Sequence, residues 1–121
     1  MKTQRPVGSA ERALLVGVQL PARYGDTSDE RLAELAELTR SAGAAVVGRV
    51  AQRRDRPDPA TLVGRGKAEE LEREAEARGA NLIIFDHNLS PTQLRNLSGT
   101  RRVIDRTQLI LDIFARRARS R

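Results

Sequence analysis

Three groups of residues in this chain have types and spacings suited to chemistry: a glycine-rich turn, an Asp-His pair and two sets of arginines. Gly64-Arg65-Gly66-Lys67 stands where a helix is expected to begin. Free N–H groups and the helix dipole favour an anion at such a start. The P-loop pattern G-x-x-x-x-G-K-[ST] is not met, because Thr61 occupies the place of the first glycine and Ala68 replaces the hydroxyl residue that would hold magnesium. Nucleotide hydrolysis within this chain is therefore not expected. Contact with a general anion or an RNA phosphate through Gly64 and Gly66 is one reading, and a plain glycine turn into a helix is the other. Asp86 and His87 follow an apolar run, where an open parallel sheet places its sites. A Ser90-His87 pairing beside Asp86 is too local for a catalytic triad, so turn hydrogen bonds from Asp86 and Asn88 and a helix cap from Ser90 are expected instead.

The arginines are the third group. Of 22 basic residues only Lys2 and Lys67 are lysine, so the rest carry the planar guanidinium suited to phosphate. The net charge is +6, of which +5 belongs to residues 101–121 and +1 to residues 1–100. Arg53, Arg54 and Arg56 form one cluster with Arg65 and Lys67 just beyond, and Arg116, Arg117, Arg119 and Arg121 form a second. Both could neutralise phosphates. The aromatics are Tyr24, Phe85 and Phe114 alone, which disfavours a base-stacking platform and leaves structured RNA, met as shape, as the functional reading. A solvated charged face, or a compositional arginine bias, is the bland alternative.

These groups need a scaffold. Residues 13–18 (ALLVGV) form an apolar run closed by Pro21, which reads as a strand buried on both faces. Thr27 and Glu30 have capping-box spacing, and Leu32, Leu35, Ala36, Leu38, Thr39 and Ala42 follow at helical intervals up to Gly43. Residues 44–50 (AAVVGRV) read as a second strand, with Gly48 permitting a bulge or a close approach. Two prolines make 53–59 a surface loop. Residues 61–63 are expected to add a little strand, and 67–78 a helix with Ala68, Leu71 and Ala75 inward and Glu69-Arg73 and Glu74-Arg78 pairs outward. Residues 81–85 (NLIIF) are the clearest strand, and Ser90-Pro91-Thr92-Gln93 is a strong helix start. Residues 102–104 read as the last strand. Asp105 and Gln108 then open a final helix expected to turn Leu109, Ile110, Ile113 and Phe114 inward, with Asp112 and Arg116 one turn apart. Alternating strands and helices imply an α/β fold: a small, mostly parallel sheet of about four strands with helices on both faces.

The absence of cysteine excludes disulfides, thiolate zinc sites and cysteine nucleophiles, and fits a reducing compartment. The apolar runs, such as 13–18 and 82–85, are only a few residues long, so no membrane span or signal peptide is expected, and the chain reads as cytoplasmic.

Four stretches, in order, resemble the N-terminal domain of the HflX family of ribosome-associated GTPases. They are LLVGVQLP (14–21), AGAAVVGRVAQRRDRPDPATLVGRGKAEEL (42–71), ANLIIFDHNLSPTQLRNL (80–97) and VIDRTQLILDIFARRARSR (103–121). The segment 96–103 is about two residues shorter than is usual in the family. The resemblance implies an α/β domain followed by a helical arm and a GTP-binding domain, so the chain is expected to be part of a longer protein. It divides into a flexible segment 1–12, the domain proper 13–115 and a basic start of the arm 116–121. It further implies partners in the large ribosomal subunit and its rRNA, in the protein's own arm and GTPase domain, and no membrane. The family's activity is the splitting of stalled or stressed ribosomes, with antibiotic resistance in some bacteria. This part is expected to be no enzyme and to hold no cofactor, GTP and Mg2+ belonging to the GTPase domain. The alternatives are a small-nucleotide sensor using 64–67, and a structural domain that packs on the arm.

Overall fold

A computed structural model describes residues 6–22 and 29–119, with side chains described to residue 115. Four strands and four helices alternate: β1 (Arg12–Gln19), α1 (Asp29–Ser41), β2 (Ala45–Arg53), α2 (Arg65–Ala77), β3 (Leu82–Phe85), α3 (Pro91–Leu97), β4 (Arg102–Asp105) and α4 (Arg106–Arg119). The strands are all parallel, in the order β2-β1-β3-β4. A parallel neighbour cannot be reached by a tight hairpin, so each connection carries a helix. The result is the expected α/β fold.

β1 is central and its two faces feed two cores. Ala13 and Leu15 pack with Leu32, Leu35 and Ala36 of α1, Leu82 and Ile84 of β3 and Leu109 of α4. Leu14, Val16 and Val18 pack with Leu71 and Ala75 of α2, Ile83 and Phe85 of β3 and Leu97 of α3. Helices α1 and α4 therefore cover one face, α2 and α3 the other. This is why 13–18 lacks the alternation of a half-exposed strand.

Several local expectations hold. The β1–β2 register slips between Ala13 and Leu14, where Val47 is the extra residue beside Gly48. A Cβ on Gly48 would stand 2.7 Å from the Arg78 side chain, and Arg78 Nη1 donates to the Val47 carbonyl at 3.3 Å, so Gly48 does permit a close approach. Arg78 also pairs with Glu74. Ser90 and Gln93 form the capping box of α3. The proposed Thr27-Glu30 cap lies outside the described residues.

Other expectations are corrected. Phe114 does not face the sheet and is 61% exposed, whereas Leu109 is fully buried. At 100° per residue, Leu109, buried Asp112 and Ile113 centre the inner face of α4, and Phe114 falls roughly 140° from Leu109. Asp112 takes an inner place because Val7 N–H, Gln108 Nε2 and Arg102 Nη2 all meet its carboxylate, at 3.2, 2.9 and 3.4 Å. Val7 is itself buried in the α1-side core, and β1 begins at Arg12, one residue before the expected run. Residue 53 ends β2 and does not begin the loop. Residues 61–63 add no strand to the sheet; Leu62 instead makes an isolated antiparallel bridge with Asp58.

Candidate nucleic-acid interface

In an all-parallel sheet every strand ends, and every following helix begins, at the same edge. That edge gathers the β2–α2 connection, Asp86 at the end of β3 and the start of α4. The strand order reverses between β1 and β3, β2 being added on one side of β1 and β3 on the other, and there Asp86 N–H donates to Val16 O at 2.9 Å while His87 Nε2 lies 3.0 Å from Val18 O.

Among the described residues the Asp86 side chain makes no turn bonds of the kind expected. Its carboxylate is buried and held by Arg106 Nη1 at 2.7 Å and Arg31 Nε at 3.2 Å, a clamp joining α1, β3 and α4. Asn88 accepts from the Thr107 hydroxyl, and Asp105 accepts from Leu89 N–H and Gln108 N–H at 2.9 Å each. These groups are committed to structure.

The β2–α2 connection is braced at nearly every residue. Asp58 Oδ1 accepts from Ala60 N–H at 2.7 Å and Thr61 N–H at 3.0 Å, closing a tight turn. Those two N–H groups, and then the nearby Arg54 charge, hold the Asp58 carboxyl below its ordinary value. Helix α3 ties down the far side: Gln93 Nε2 donates to Asp58 O at 2.8 Å and Asn96 Nδ2 to Ala60 O at 3.0 Å. Buried Leu62 and Val63 plug the turn into the α2-side core, with Leu62 at φ 68°. Gly64, at φ 91°, then turns the chain into α2.

On this frame the arginines divide. Arg54 is half-buried and structural: Nη1 donates to Val63 O at 2.9 Å and Nε to Arg56 O at 3.1 Å. Its guanidinium lies 2.9 Å from where a Cβ of Gly64 would stand. Lys67 is paired with Glu70 at 2.8 Å, which lowers the Glu70 pKa. Arg53, Arg56 and Arg65 are exposed and, among the described residues, have no carboxylate within 4.0 Å. Arg53, Arg54 and Arg56, with Gln52 and Asp55, line an open cavity of about 480 Å³. The start of α2 carries no side-chain cap and no acid in its first turn, and a Cβ on Gly66 would meet nothing within 4 Å.

The second arginine set does not join the first. Helix α4 starts at the strand-end edge and runs back for 14 residues, roughly 20 Å, so Arg116, Arg117 and Arg119 lie toward the opposite end of the domain. Their side chains, and all of Arg121, lie outside the described residues. Sequence reasoning also passed over Arg49, exposed on β2 and without a carboxylate partner among the described residues. Its signal was the strand alternation that places it on the same face as Arg53.

Magnesium-assisted GTP chemistry does not fit this turn. Thr61, at the place of the first P-loop glycine, accepts Gly64 N–H on Oγ1 at 3.0 Å, so that N–H is used internally, and Ala68 offers no ligand. Among the described residues, no group of three or more His, Asp or Glu side chains gathers to hold a metal, and no helix is long and apolar enough to cross a membrane.

The described residues form a parallel α/β domain with a basic strand-end edge. The family described as GTP-binding GTPase N-terminal matches residues 29–115. Similar proteins include the GTPase HflX of Alkalihalophilus pseudofirmus, 44% identical over 113 residues, and that of Lacrimispora saccharolytica, 46% identical over 115; each comparison covers 92% of this chain and 26% of the relative. The GTPase HflX of Escherichia coli K12 is 44% identical over 114 residues, covering 93% of this chain and 26% of the relative. The chain belongs to the HflX GTPase family and corresponds to its N-terminal domain. It spans about a quarter of the length of these relatives.

Proposed function

We propose that this domain is a noncatalytic module that contacts the rRNA of the large ribosomal subunit on behalf of an HflX-type GTPase. The observation that carries the proposal is the uneven pairing of its arginines. Arg31, Arg40, Arg78, Arg101, Arg102 and Arg106 each have a carboxylate partner, while Arg53, Arg56 and Arg65, set around one rigid turn, have none among the described residues; Arg12, Arg49, Arg73 and Arg95 also lack one but are spread over β1, β2, α2 and α3. Unneutralised charge held on a braced loop costs the fold self-repulsion, and a polyanion would relieve it. The bound chain would place the rest of a GTPase on the subunit. Splitting of stalled or stressed ribosomes, and the stress and antibiotic phenotypes that follow, would then depend on a further domain that binds GTP and Mg2+. A cytoplasmic setting belongs to the same reading. Co-sedimentation of the chain with purified large subunits at moderate salt tests it; a chain that stays in the supernatant at every salt concentration refutes it.

A second role, as the base on which a helical arm packs, is favoured by Leu111 and Phe114. These are large apolar side chains, 55% and 61% exposed, one turn apart on α4. Substituting both with Ser and leaving ribosome binding intact would separate that role from RNA contact.

A further inference from the structure

The unpaired arginines do not all lie on one side of the sheet. Register places Arg53 opposite Gln19 and Arg49 opposite Leu15 on β1. Leu15 belongs to the core under α1, so Arg49, Ala51 and Arg53 share the α1 side of β2, and all three are exposed. Leu32 of α1 lies against Gly17 of β1, the register partner of Ala51, one strand in from these exposed residues. Arg54 goes the other way, into the α2 side against Val63 and Gly64. Positive charge therefore wraps the outer end of the edge strand, from the first turn of α2 at Arg65, past Arg56, to Arg53 and then along the strand to Arg49. At about 3.3 Å per residue, Arg49 and Arg53 are roughly 13 Å apart.

We infer that Arg49 is a further RNA contact, and that the path of a phosphodiester backbone continues from the β2–α2 turn onto the α1-side face of β2. This rests on the RNA-contact reading above. An edge strand with free guanidiniums on its outer residues repels a second copy of itself and suits a polyanion laid across it. The small side chain of Ala51 between the two arginines keeps either from being shielded from a rigid backbone.

The test is a salt series of binding to purified large subunits and to protein-free large-subunit rRNA, with the parent chain, Arg49→Gln, Arg53→Gln and, as a control, Arg95→Gln. Arg95 is exposed and without a carboxylate partner among the described residues, but it lies on α3, on the other face. Near-identical circular dichroism is required of all four. The expected result is a log–log salt slope reduced by about one for Arg49→Gln and for Arg53→Gln, on both targets, with Arg95→Gln unchanged. An unchanged slope for Arg49→Gln beside a reduced one for Arg53→Gln overturns the inference and leaves the function reading standing. Unchanged slopes for both overturn the two together. Binding to subunits with none to the protein-free rRNA assigns the surface to a protein partner and also overturns the inference.

Discussion

Replacing Leu109 or Phe114 by alanine should separate the two faces of α4 by a wide margin. Leu109 is fully buried and packs with α1 and the sheet, so its removal loses the transfer free energy of its side chain and leaves a cavity between two elements that cannot easily close. Such changes cost about 2 to 5 kcal/mol. Phe114 is 61% exposed, and its loss should cost about 1 kcal/mol or less, far below the 3 to 5 kcal/mol of a buried aromatic. With a urea m-value of about 2 kcal/mol/M, Leu109→Ala should lower the unfolding midpoint by about 1 to 2.5 M and Phe114→Ala by about 0.5 M or less. Equilibrium unfolding followed by far-UV circular dichroism reads both. Equal shifts for the two variants, or a larger one for Phe114→Ala, would refute the assigned orientation of α4 and the α1-side core with it.

Gly64→Ala should cost about 1 to 2 kcal/mol, because a φ of 91° is strained for an L-residue and the new methyl would meet the Arg54 guanidinium; an unchanged thermal midpoint would contradict this. Asp58 has a pKa lower folded than unfolded, so its stabilising effect is complete above the unfolded value near 3.8 and is lost as pH falls through the folded one. Asp58→Asn should therefore flatten the decline of stability below about pH 4, and a pH series of urea midpoints with the parent's slope would count against it. Asp86→Asn should destabilise by about 1 to 3 kcal/mol, reduced from the cost of a fully buried pair because Arg31 and Arg106 reach solvent. A thermal midpoint equal to the parent's would show that the clamp is dispensable.

Much of this fold was legible because its strands carry unbroken apolar runs and its turns carry specific signals. The run 82–85 and the Ser90-Gln93 box fixed β3 and the start of α3 almost to the residue. The orientation of α4 was not legible, since Leu109, Ile110, Ile113 and Phe114 make a wide stripe and only the tertiary partners of Asp112 decide which part of it turns inward. The same limit applied to the arginines. The sequence located the cluster 53–67, but whether a guanidinium is free, as at Arg53, or spent on carbonyls, as at Arg54, depends on where Val63 and Gly64 come to rest. Arg49 was hidden for a further reason. A lone arginine in a strand looks like any solvent-facing residue until the register pairs it with Leu15 and places it beside Arg53.

Contact between the β2–α2 end of this domain and rRNA phosphates is the proposed basis of ribosome binding. Its most direct test is the affinity of the chain for purified large subunits between about 50 and 200 mM salt, beside a variant with Arg53, Arg56 and Arg65 all changed to Gln. Arg54 is left in place because it holds the turn. The logarithm of the parent's binding constant should fall linearly with the logarithm of salt concentration, and the variant should bind more weakly with a slope shallower by about three. Equal affinity and equal slope for the two proteins would contradict that contact.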